Sequence, residues 1–179
     1  MTFMNRIAAA ALVVGGLLQT PLALATDPGS SLLYFGAGPS RSDSALESDR
    51  TPFSLGFLRV SPASDSVFGL DVAGEGTRLN STWGQTRAVK QGGSINFLFG
   101  RNLSRSATSR FDAAFLIGAR HKTAECPPSY VGYQCYADRD PDVSYGINYG
   151  VLLAWTQQRL MIGIRATGES AQGLIGFSF

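Results

Sequence analysis

After residue 25 the chain has no apolar run approaching the roughly 20 residues that a spanning helix requires, so a helical membrane protein is excluded. It is also poor in charge: Asp, Glu, Lys and Arg make up 16% of the 179 residues, with a formal net charge of +2, which leaves no bulk electrostatic case for nucleic acid. There is one histidine, His121, and two cysteines, Cys126 and Cys135, and no cluster of His, Cys, Asp or Glu has metal-ligand spacing. The reading therefore carries no metal and no cofactor. Gly74-Glu75-Gly76 leads into a loop and is no phosphate cradle, and Gly168-Glu169-Ser170 lacks the strand-to-helix setting of a serine-hydrolase elbow.

What is present begins with the first 25 residues. Arg6 precedes an apolar, alanine-rich stretch from Ile7 to Leu18, then Pro21, then Ala23-Leu24-Ala25, an A-x-A cleavage signature. These features predict a cleaved secretory signal over residues 1–25 and a mature chain over 26–179. In an exported chain the two cysteines are read as a disulfide, worth about 2.7 kcal/mol for a loop of about ten residues. The alternative, free thiols or metal ligands, lacks the neighbours that would complete a site.

The mature chain contains 21 glycines and 11 phenylalanines arranged in segments of alternating character. Strands are predicted at 31–38, 52–60, 67–75, 93–101, 111–121, 144–156, 160–168 and 172–179. Phe111, Ala113, Phe115, Ile117 and Ala119 share one parity against Asp112, Ala114, Leu116, Gly118 and Arg120. Tyr145, Ile147, Tyr149, Val151, Leu153 and Trp155 do the same in the next segment, with aromatics near both ends, as in the girdles of membrane barrels. The first two segments are less regular. A soluble barrel would need a water-compatible outer parity; here the second parity is glycine, alanine and a few lone charges, suited to a narrow interior. Long connections at 39–51, 76–92 and 122–143 alternate with short ones at 61–66 and 157–159 and an intermediate one at 102–110, the asymmetry of outer-membrane barrels. The fold class expected is all-β: an eight-stranded antiparallel transmembrane up-and-down barrel with both termini in the periplasm.

The ending Gln-Gly-Leu-Ile-Gly-Phe-Ser-Phe, with aromatics at Phe177 and Phe179, resembles the C-terminal recognition strand of bacterial outer-membrane barrels. The resemblance implies that the barrel-assembly machinery reads Phe177 and Phe179. In overall organisation the chain resembles the small eight-stranded barrels typified by the OmpA transmembrane domain, the OmpX and Ail proteins and the opacity proteins. That group includes adhesins, complement-resistance factors, envelope-stabilising barrels and a few lipid A-modifying enzymes. The function expected here is a non-enzymatic envelope role, with loops that contact outer-membrane lipid, lipopolysaccharide, or an extracellular or host protein. The fold does not choose among them.

Asp71, Glu75, Asp112, Arg120, Arg165 and Glu169 fall on the inward parity, and the third and seventh strands of an eight-stranded barrel face each other. A lumen charge network is therefore expected, with Asp71 meeting Arg165, because buried charges must be paired. Replacing Arg165 is expected to leave Asp71 or Asp112 without a partner. An enzymatic alternative rests on His121, Thr123 and Glu125, of one outward parity. His121-Lys122-Thr123 resembles the His-x-Ser pair of a lipid A deacylase of the same barrel class, with Thr in place of Ser. That resemblance implies a general base, a hydroxyl nucleophile and an orienting carboxylate for acyl hydrolysis or transfer at the outer leaflet.

Overall fold

The computed structural model describes residues 31–41, 50–61, 63–79, 89–122 and 144–179. The predicted signal segment, Thr123, Glu125, Cys126 and Cys135 lie outside the described residues. Among the described residues ten strands follow in chain order: β1 Ser31–Ala37, β2 Phe53–Val60, β3 Ser66–Gly74, β4 Thr77–Leu79, β5 Val89–Gln91, β6 Ser94–Arg105, β7 Ser109–Lys122, β8 Ser144–Gln157, β9 Leu160–Thr167 and β10 Ala171–Ser178. Eight of them close a barrel in the order β1-β10-β9-β8-β7-β6-β3-β2, and β4 and β5 form a separate hairpin. Closure comes from antiparallel pairing of β1 with β10, for example Phe35 opposite Ile175, so the barrel has no free sheet edge.

Parity decides the two faces. Phe115 is 60% exposed while its neighbour Leu116 is 1% exposed, and the same swing runs along every barrel strand. Among the described residues twenty-five large apolar side chains are exposed, including Phe35, Phe57, Leu70, Phe97, Ile147 and Phe177. A soluble monomer does not carry a continuous apolar surface of that extent; a barrel in a bilayer requires it. Trp155 lies toward one end of this belt and Tyr145 toward the other, where amphipathic rings sit at headgroup depth.

The inward face is filled rather than open. Leu32, Leu58, Val60, Val67, Leu98, Leu116, Leu152, Met161 and Leu174 form an apolar cluster in the middle and toward the short turns. β1 looks irregular as a sequence because both of its faces are apolar: Leu33 and Phe35 meet lipid while Leu32 and Tyr34 enter this interior.

The connections β2–β3, β6–β7 and β8–β9 lie at one end with the start of β1 and the end of β10. The ends of β1, β3 and β7 and the β9–β10 connection lie at the other, the loop end. The β6–β7 connection is tighter than the predicted 102–110. β6 runs on to Arg105 and β7 starts at Ser109, with a register shift between Asn102 and Ser104. Gln158 takes a left-handed φ of 55° to make the tight β8–β9 turn.

Candidate functional site

Three inward residues meet in the loop-end half of the lumen. Arg165 of β9 donates from Nη2 to Asp71 Oδ1 at 2.7 Å and from Nη1 to Glu75 Oε2 at 2.8 Å. Its Nε lies 3.2 Å from both Asp71 oxygens, and Nη2 also reaches Glu75 Oε1 at 2.9 Å. All three side chains are fully removed from solvent.

Two carboxylates and one guanidinium leave an excess negative charge in a low-dielectric interior, which is costly unless neutral donors share it. The donors are there. Tyr34 Oη and Asn96 Nδ2 donate to Asp71 at 2.7 and 2.8 Å. Ser94, Asn148, Thr167 and Ser170 donate to Glu75 at 2.7, 3.0, 2.8 and 2.6 Å. Gln172 extends the chain by donating to Ser170 Oγ at 2.8 Å and accepting from Ser54 Oγ at 2.6 Å. Every barrel strand except β7 contributes a side chain, so the network ties the cylinder across its width.

The remaining inward charges do not join this centre. Asp112 pairs with Arg110, whose Nε donates at 2.9 Å, and accepts from Asn102 Nδ2 at 2.7 Å, all near the β6–β7 turn. Removing Arg165 therefore strands Asp71 and Glu75 but leaves Asp112 its partner, a correction to the expectation above. β7 begins at Ser109, two residues before the predicted start at 111, and Arg110 in that added stretch shares the parity of Asp112. Arg120 pairs with Glu169 at the loop-end rim, where both are partly exposed. Tyr34, Ser54, Ser170 and Gln172 were not foreseen as members. Their only sequence signal is inward parity.

His121 sits at the loop end of β7, half-buried, its ring 5.2 Å from that of Tyr145. Its Nδ1 is within hydrogen-bond distance of the Gly93 backbone, 3.1 Å from N and 3.0 Å from O. Phe177 and Phe179 face outward at the end of β10, with Phe179 against Phe57.

The loop-end rim also holds Arg41, Arg78 and Lys90. Arg41 donates to the Thr167 carbonyl at 3.2 Å. Arg78 and Lys90 lie directly opposite each other across β4 and β5. None of the three has a carboxylate partner among the described residues, whereas Glu75 and Glu169 are both occupied by arginines. No group of three or more potential metal ligands occurs among the described residues.

No protein-family model and no curated protein matches the sequence. Among solved structures the chain is similar to the backbone structure of the Yersinia pestis outer membrane protein Ail in a phospholipid bilayer nanodisc. The two share 14% identity and a TM-score of 0.45, over 83% of this chain and 97% of that one. By its own closure and its own apolar belt, the chain is a small eight-stranded β-barrel of the outer-membrane type.

Proposed function

We propose that this is a non-enzymatic envelope protein, exported by the signal over residues 1–25, that sits in the outer membrane with both termini periplasmic. Its loop end contacts the phosphate-bearing surface of lipopolysaccharide and, beyond it, extracellular partners. One observation carries the reading: the rim cations Arg41, Arg78 and Lys90 have no acidic partner among the described residues, while Glu75 and Glu169 beside them are already paired. The filled lumen supports a role located on the rim rather than along the axis. A rigid barrel is the kind of support on which loops are held for binding. The Cys126–Cys135 disulfide would brace the third of these loops, and Phe177 and Phe179 would serve the assembly machinery.

The test is titration of the full chain, in phosphate-free maltoside micelles, with bisphosphorylated lipid A and with the same lipid after its phosphates are removed. Tighter binding of the phosphorylated lipid is expected. Equal binding of the two would remove the proposal.

A further inference from the structure

The hairpin of β4 and β5 continues β3 and β6 beyond the barrel rim, and its base is pinned. Gly92 N donates to Gly76 O at 2.9 Å, and Gln91 Nε2 donates to the carbonyls of Gly74 and Thr51 at 2.9 and 3.2 Å. Gly76 takes a left-handed φ of 68°, and a Cβ there would stand 2.8 Å from Glu169 Oε2. The turn from barrel to hairpin therefore needs glycine.

On this pinned hairpin the cross-strand partners are Arg78 and Lys90. Directly opposed residues of an antiparallel pair hold their Cβ atoms about 4.5–5.5 Å apart, and like charges so placed destabilise the pair. A three-residue ladder has little stability to spare. Moreover, Arg78 Nε is buried with no hydrogen-bond partner among the described residues, and a buried guanidinium donor ordinarily has one. Two cations forced together and a donor left unsatisfied are both relieved by one species: a compact anion with several acceptor oxygens.

We propose that Arg78 and Lys90 form a two-pronged seat for a phosphate group. Arg78 supplies the planar fork and Lys90 the point charge, the pairing that suits a tetrahedral phosphate monoester. The inference rests on the lipopolysaccharide reading and narrows it to one hairpin and one chemical group. Free phosphate carries the same chemistry.

The experiment uses the same micellar titration with Lys90→Glu, Arg78→Gln and Lys90→Arg. Lys90→Glu places opposite charges across the hairpin, so the ladder survives while the seat is lost; Arg78→Gln removes the fork by an independent route. Each is expected to weaken binding of bisphosphorylated lipid A by about tenfold, the scale of a hydrogen bond to a charged group. Lys90→Arg should stay within about twofold of the parent. Retained heat-modifiable gel mobility shows that each variant is folded. Displacement of the lipid by excess inorganic phosphate would assign free phosphate as a sufficient ligand; failure to displace it would assign the glycolipid. If the parent prefers the phosphorylated lipid but both Lys90→Glu and Arg78→Gln bind it unchanged, the seat is overturned and the wider reading stands. If the parent shows no preference, both fall.

Discussion

Arg165 and Asp71 are 94 residues apart in sequence and lie on strands that are not neighbours, yet Nη2 and Oδ1 are 2.7 Å apart in the barrel interior. Three strands separate β3 from β9 whichever way the wall is followed. The contact therefore crosses the lumen, and its strength depends on the cylinder being closed and in register.

Replacing Arg165 by Met should lower stability by about 3–5 kcal/mol, because it leaves two buried carboxylates without their cation. Unfolding in urea, followed by gel mobility in lipid or detergent, measures it. Adding Asp71→Asn and Glu75→Gln to Arg165→Met should recover part of the loss by removing the stranded charges. A single variant as stable as the parent would contradict the geometry described here.

The Arg110–Asp112 pair shares no hydrogen-bond partner with the Arg165 centre among those described. The destabilisation caused by Arg110→Met should thus add to that of Arg165→Met within about 0.5 kcal/mol. A larger coupling in a double-mutant cycle would mean that the two polar clusters communicate through the apolar layer between them.

Tyr34 packs its ring over Gly56 of β2, so close that a Cβ at position 56 would overlap ring atoms. Gly56→Ala should push Tyr34 off Asp71, and Tyr34→Phe should remove the same hydrogen bond without the clash. Each should cost about 1–3 kcal/mol, the scale of a buried acceptor losing a donor. Because they act on one contact, their effects should combine to less than the sum.

Ion flow is opposed by the apolar middle layer formed by Leu58, Leu98, Leu116, Leu152 and Leu174. Such a layer offers no acceptor to replace an ion's hydration shell. Planar bilayers containing the protein should show no steady conductance steps, and discrete open events of uniform size would argue against a filled lumen.

The barrel strands were legible because the bilayer demands an apolar outer parity, and that demand runs through Phe97, Ile117 and Ile147. It fails where the ladder leaves lipid. From Ser104 to Arg110 the backbones of β6 and β7 still pair, but the side chains are polar on both faces, so alternation ends before hydrogen bonding does. The β4–β5 hairpin was invisible for a related reason: three residues per strand carry no parity. The opposition of Asp71 and Arg165 followed from strand count alone. The membership of Tyr34, Ser170 and Gln172 did not, since it depends on side-chain reach across the lumen.

The lipid-facing pattern repeats every two residues, so a slip of β9 by two positions would leave the belt greasy and the hydrogen-bond ladder intact. The interior would detect it. Such a slip puts Gly163 or Thr167 where Arg165 belongs, and Asp71 and Glu75 are then enclosed with no cation. Arg165 thus acts as a proofreading mark supplied late in the chain: the closing strands find their alignment because only one register neutralises charges laid down some ninety residues earlier.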